Sequence, residues 1–232
     1  MEATEIRKLA ELEDRHWWYR ERRALLARAL RKAGRPGRAL DVGAAGGGNT
    51  RVLKRHGWLP VALEYSESGA EVARERGLDV IRADARFLPF ATGSLDLVVA
   101  FDILEHIEDD VRAAAEFRRV LRPGGTALIA VPCDMRLWSA HDVAVSHVRR
   151  YSRETLTDTI SKAGLVIDEL WSWNVLLRPV AAWRRKKSTG SDLDDMSGVV
   201  NLALTAIIAV ERYLPVKSLP GVSLMLRAHR PD

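Results

Sequence analysis

The segment Ala39-Leu-Asp-Val-Gly-Ala-Ala-Gly-Gly-Gly48 constrains this chain more than any other, because an apolar strand pattern runs straight into a glycine-rich turn and then helix signals from Asn49. Glycines at such a junction let a ligand approach the backbone and the helix N-terminus, the geometry of a nucleotide-like site in an open α/β sheet. The rest of the chain agrees. Strand patterns at 39–44, 61–65, 80–84, 96–102 and 126–132 alternate with amphipathic segments, as in a parallel sheet covered by helices on both faces. Two further strands are expected at 166–173 and 223–230.

Helix signals fall between them. Ser66 caps a segment that stops at Gly77, and Ser152 caps one that stops at Gly164. Residues 109–121 place Val111, Ala114, Ala115, Phe117, Val120 and Leu121 on one side, then break at Pro123-Gly124-Gly125. Residues 3–33 are helical in composition and carry His16-Trp17-Trp18-Tyr19, a cluster suited either to packing or to covering a ligand. Residues 174–215 hold two apolar helical patterns around a polar linker at 186–197. The expected organisation is one domain over 1–232: a helical cover (1–35), a core (36–173), a helical insertion or lid (174–215) and a final strand (216–232).

At 232 residues, 47% apolar and 29% charged, the chain is globular in composition. The single cysteine, Cys133, rules out an intramolecular disulfide, a zinc knuckle and a CxxC redox pair, and points to a reducing cytoplasm. The charged first residues form no secretory signal. The longest apolar stretch, 199–210, is interrupted by Asn201 and Thr205 and falls short of the roughly 20 residues of a membrane span. The net charge of +5 and the run Arg184-Arg185-Lys186-Lys187 raise a nucleic-acid partner. Basic residues are instead spread along the whole chain, 29 arginines and seven lysines, which disfavours that reading.

Charge narrows the ligand. Asp41 precedes the turn, Glu64 ends the second strand and Asp84 the third, so three carboxylates surround one crevice. A pyrophosphate would be repelled there, and Ala45 stands where a dinucleotide site wants its second glycine. S-Adenosylmethionine fits better: it is cationic at ammonium and sulfonium, has no phosphate, and its ribose hydroxyls donate to a carboxylate.

These residues, with Leu-Asp-Val-Gly at 40–43, Leu63-Glu64, Ala83-Asp84-Ala85, Leu88-Pro89-Phe90, residues 94–98, Leu104-Glu105-His106-Ile107, residues 121–125 and Ala163-Gly164-Leu165, resemble the class I S-adenosylmethionine-dependent methyltransferases. The resemblance implies a Rossmann-like, seven-stranded, mostly parallel sheet with the last strand antiparallel. It implies that the Gly43 and Gly47 backbone lies against the methionine moiety, with Asp41 supporting the loop or the ammonium and the carbonyl near Phe101 assisting. Glu64 would bind the ribose, Tyr65 flank the adenine, and Asp84 with the Ala85 amide read its edge; for Asp84 a helix cap competes. Ala45 departs from the family's usual glycine. The His-Trp-Trp-Tyr cluster also looks like a bacterial subgroup of the family, which implies Tyr19 and Arg22 near the cofactor carboxylate.

Methyl transfer is an in-line displacement that needs alignment and no obligatory metal. For a hydroxyl acceptor a base helps. The loop after the fifth strand offers His141, Asp142 and His147 as base candidates, and Arg149, Arg150 and Tyr151 as contacts for an anionic or sugar-like acceptor. His106 beside Glu105 ranks behind them, and spacing alone makes no metal site of His141, Asp142 and His147. The expected activity is methylation of a small molecule or glycoside at oxygen. The alternatives are a nicotinamide-dependent oxidoreductase, disfavoured by Asp41 and Ala45, and a non-catalytic cofactor-binding scaffold. The apolar segments of 174–215 need cover from the cleft, from a second copy of the chain or from lipid at a membrane surface.

Overall fold

The structure, a computed structural model, describes Arg7 and residues 11–186 and 197–232. Strands β1 (Arg38–Val42), β2 (Leu59–Glu64), β3 (Val80–Arg82), β4 (Leu95–Phe101), β5 (Leu121–Pro132), β6 (Val166–Trp173) and β7 (Ser223–His229) form one sheet in the order β3-β2-β1-β4-β5-β7-β6. Strands β1 to β5 pair in parallel, and β7 runs antiparallel to both β5 and β6. The order reverses at β1/β4, where the glycine-rich turn leaves β1. Ligand crevices of open α/β sheets lie at that switch point.

Side-chain alternation along the strands builds two cores. Val98 and Ala100 of β4 join Leu40 and Val42 on one face, packed by Phe117 of α4 (Asp110–Val120) and by Leu156 and Ile160 of α6 (Arg153–Lys162). Leu97, Val99 and Phe101 point to the other face. There they meet Leu26 of α1 (Trp17–Leu30), Leu53 of α2 (Gly48–Arg55) and Ile208 of α8 (Gly198–Glu211). Helix α3 (Glu67–Glu75) follows β2, its first turn capped by Ser66 Oγ accepting from the Gly69 amide at 3.1 Å. Two further helices are short: α5 (Ala140–Ala144) and α7 (Arg178–Arg185).

Three expectations change. The first long helix starts at Trp17, because His16 takes the N-cap and its ring accepts from the Trp18 amide. Strand β3 ends at Arg82, since Asp84 is drawn into a turn with Arg86. The Pro123-Gly124-Gly125 break lies within β5: the register jumps from Leu95–Leu121 to Leu97–Thr126, and Gly124 bulges out at φ +69°. Most of the 186–197 linker, Lys187 included, and residues 1–6 and 8–10 lie outside the described residues.

Helix α8 turns a mixed face inward, where Leu204 and Ile208 pack in the core beside Asn201 and Glu211. Asn201 accepts from the Trp17 amide and donates to the Arg15 carbonyl, and Glu211 accepts from the Asn174 and Leu176 amides at 2.7 and 2.9 Å. The outward side carries Val199, Leu202 and Val210, with Tyr213 just beyond, all exposed. Among the described residues no helix is long and apolar enough to cross a membrane.

Candidate active site

The loop after β1 is built for close approach. Gly43 and Gly47 sit at φ +69° and +78°, and a Cβ on them would lie 1.8 Å from Ile103 Cδ1 and 1.9 Å from Leu78 Cδ1. Only glycine satisfies both constraints. Ala45 holds φ +43° between them, a strained setting for a residue with a Cβ. Its amide donates to Glu64 Oε2 at 2.9 Å, while Tyr65 donates to Oε1 at 3.1 Å, so the carboxylate at the end of β2 ties the loop to the sheet edge. Asp41 is buried beneath the loop and accepts from Thr50 Oγ1 at 2.5 Å. Burial, with the Glu64 and Glu13 charges adding, pushes its carboxyl up to about 7.

Helix α1 closes one side. The Arg22 guanidinium, buried, pairs with Asp102 at the end of β4, donates to Met225 Sδ at 3.1 Å, and lies over the rings of Trp18, Phe101 and Trp173 at 5.2–5.6 Å. Its Nε has no hydrogen-bond partner. Tyr19 is half-buried beside it, its hydroxyl pushed up by burial and by the Asp102 and Glu13 charges. Asp102, not anticipated from sequence, obeys the rule that singled out Glu64 and Asp84: it is a carboxylate at a strand's C-terminal end.

The loop after β5 folds back against the turn after β4. His147 Nδ1 lies 2.8 Å from Asp142 Oδ1, and Arg150 donates to both Asp142 oxygens at 2.8 and 3.1 Å. Burial raises the Asp142 carboxyl, but the His147 hydrogen bond and the Arg150 charge outweigh it and leave it below its ordinary value. An ionised Asp142 fixes the His147 proton on Nδ1 and leaves Nε2 its lone pair. That Nε2 is 3.8 Å from Glu105, and the His106 and His141 rings lie 4.7 and 6.3 Å from the His147 ring. Cys133, pushed up to about 11 by burial and Asp134, is no nucleophile.

A cavity of about 380 Å³ joins these parts. Gly43, Ala44 and Ala45 line it at the cofactor loop, Tyr19, Arg22 and Phe101 along one wall, His106, His141, His147 and Arg150 at the far end, and Val180, Ala181 and Leu204 from α7 and α8 on the cover. Asp41, Gly47, Glu64, Tyr65, Asp84 and Ala85 stand outside its walls, beneath the loop or along the β2 and β3 edge. Asp84 there is held by Arg86 through three side-chain contacts at 2.7–3.1 Å, and it also accepts from the Arg86 amide.

Two acceptor-contact expectations are corrected. Tyr151 is buried in the core, its hydroxyl donating to Asp110 Oδ2 at 2.6 Å, and Arg149 turns away to Asp110 and the Glu108 carbonyl. The helix N-terminal carboxylate of Asp110 captures both. Tyr151→Phe is therefore expected to cost about 1.5 kcal/mol of stability, the loss of one hydrogen bond to a carboxylate that keeps Arg149 and Thr159, in denaturant titration. Acceptor KM should be unchanged.

The comparisons agree with this geometry. Residues 40–129 match a family described as methyltransferase domain. A Mycolicibacterium smegmatis protein named "Probable S-adenosylmethionine-dependent methyltransferase" is 27% identical over 168 residues, 70% of this chain and 65% of that protein. A Mycobacterium tuberculosis protein of the same description is 27% identical over 165 residues, 69% of this chain and 60% of its own. The chain thus spans 60–65% of the length of these curated relatives. A chain of the complex between the Haloferax volcanii Trm112 methyltransferase activator and a methyltransferase shares the fold, with a TM-score of 0.68 at 19% identity over 99% of this chain and 95% of that one.

Sheet order and the switch-point loop define a Rossmann-like domain. Over residues 40–129 the chain matches a methyltransferase domain, and it is similar to probable S-adenosylmethionine-dependent methyltransferases. The site fits S-adenosylmethionine: Gly43, Ala44 and Ala45 line the cavity, and the orphaned Arg22 Nε is a donor suited to a carboxylate.

Proposed function

We propose that this chain methylates a hydroxyl oxygen of a small molecule or glycoside. The observation that carries the reading is the single cavity running from the cofactor loop to the His106, His141 and His147 cluster. Gly43 and the Ala44 and Ala45 backbone would hold the methionine moiety, Arg22 and Tyr19 its carboxylate, and Glu64 the ribose hydroxyls. When bound, S-adenosylmethionine supplies an electrophilic methyl whose C–S bond breaks as the O–C bond forms, the sulfur keeping the electron pair. His141 or His147 takes the acceptor's hydroxyl proton, with Asp142 orienting His147 and Arg150 holding Asp142 in place. Helix α7 roofs the far end and excludes water. The substrate screen that tests this uses labelled cofactor against sugar and polyol acceptors; label released only to amines or carbon would refute oxygen transfer.

Glu64→Ala is expected to weaken cofactor binding about 10- to 150-fold, the effect of losing one charge-assisted hydrogen bond of roughly 1.5–3 kcal/mol. Isothermal titration checks it, and unchanged affinity with an intact circular dichroism spectrum would remove the ribose assignment. Helices α7 and α8 act as the acceptor-side cover, and the outward apolar side of α8 is proposed to rest on a lipid surface, with exposed Trp183 and Lys186 of the neighbouring segment at the headgroups. Flotation with anionic vesicles is expected to recover the protein. A Leu202→Glu, Val210→Glu variant should stay in the soluble fraction, and equal recovery of both would refute lipid contact.

A further inference from the structure

Glu105 is the side chain the methyl-transfer reading leaves unexplained. It is fully buried, and neither carboxylate oxygen has a hydrogen-bond partner. An ionised carboxylate in such a place is strongly disfavoured unless a cation compensates it. The neighbouring guanidiniums are engaged elsewhere: Arg150 pairs with Asp142, and Arg22 with Asp102. Burial and the Asp102 charge accordingly push the Glu105 carboxyl well up.

Two imidazoles face it. One nitrogen each of His106 and His147 and one Glu105 oxygen all lie within 4.8 Å of one another. Both histidines already have an acceptor at Nδ1: Asp142 Oδ1 at 2.8 Å for His147 and the Ser146 carbonyl at 3.2 Å for His106. Each ring is thereby set to donate from Nδ1 and to keep a lone pair on Nε2. Carboxylate-to-histidine and carbonyl-to-histidine bonds of this kind are what orients imidazoles toward a metal ion. Donors around a four-coordinate ion with bonds near 2.1 Å lie about 3.3 Å apart, so the three groups need close in by only about 1.5 Å.

We propose that Glu105, His106 and His147 form a binding site for a divalent first-row transition cation such as Zn²⁺, Co²⁺ or Mn²⁺. Two imidazoles and one carboxylate select such ions over Mg²⁺ and Ca²⁺, which prefer all-oxygen shells. Three protein ligands leave open positions, and these face the cavity that His106 and His147 line. Resting on the acceptor reading of that cavity, the cation would take a hydroxyl or two neighbouring oxygens of a sugar or diol. It would then promote loss of the hydroxyl proton to His141, with His147 serving as ligand.

The test uses tag-free protein with neither cofactor nor acceptor present, so its outcome is independent of whether methyl transfer is correctly assigned. Co²⁺ titration is expected to give saturable visible d–d bands at one equivalent, displaced by Zn²⁺. Glu105→Gln and His106→Ala should each weaken binding at least about 10- to 100-fold, with circular dichroism confirming the fold. X-ray absorption of the Zn²⁺ form of the unmodified protein, which needs no variant to fold, should show two imidazoles and no sulfur. Absence of saturable binding, a spectrum without imidazole, or equal affinity in folded variants would overturn the site.

Discussion

His147→Ala is expected to slow methyl transfer about 10²- to 10⁴-fold, the contribution of a positioned acid–base group, while cofactor affinity stays within about twofold. The imidazole lies at the far end of the cavity from the glycine loop, its side chain is 9% exposed, and its Nδ1 is held by an Asp142 that Arg150 keeps ionised. Asp142→Asn should reproduce part of the loss, because an amide can present its N–H to Nδ1 and favour the wrong tautomer. His141→Ala separates the two roles: a comparable loss of kcat makes His141 the proton acceptor, and a near-normal kcat leaves that step to His147, whose Nε2 could not then also ligate a cation. If all three variants turn over normally with the true acceptor, the polar loop has no part in the chemistry.

Arg22→Ala is the second large effect. Its guanidinium joins α1 to the end of β4 and to three aromatic rings, its Nε is buried without a hydrogen-bond partner, and the residue lines the cavity. Affinity for S-adenosylmethionine should fall about 10- to 150-fold, the range of one charge-assisted hydrogen bond. Stability should fall by about 2 kcal/mol: removing one partner of a buried pair costs more, but the Asp102 side chain is 39% exposed and solvent screens the charge left behind. Arg22→Lys should recover little, because an ammonium cannot lie flat among Trp18, Phe101 and Trp173 while reaching Asp102. Titration calorimetry and denaturant melts read the two losses separately, and a full-affinity Arg22→Ala protein would detach α1 from the cofactor.

What the sequence revealed follows from how local each signal is. The strand–turn–helix at 39–48 was legible because glycines 43 and 47 are required by their own backbone angles and by Ile103 and Leu78 close above them. The caps at Ser66 and Ser152 were legible because each bonds an amide three residues on. Tyr151 and Arg149 were misplaced because their partner, Asp110, lies about forty residues away at the start of α4 and no spacing reports it. The burial of Glu105 depends on the loop carrying His147 folding across the turn after β4, again a tertiary event. Helix α8 deceived in the opposite direction: its apolar pattern was plain, but Asn201 within it and Glu211 just after it lie on the docked side beside Ile208.

Titration of the protein with S-adenosylmethionine and, separately, with NADH, each followed by addition of candidate acceptors and assay for S-adenosylhomocysteine, tests the central claim most directly. The account predicts one saturable S-adenosylmethionine site that Arg22→Ala and Glu64→Ala weaken, no NADH binding, and acceptor-dependent S-adenosylhomocysteine formation. Saturable NADH binding at a protein indifferent to S-adenosylmethionine would contradict it.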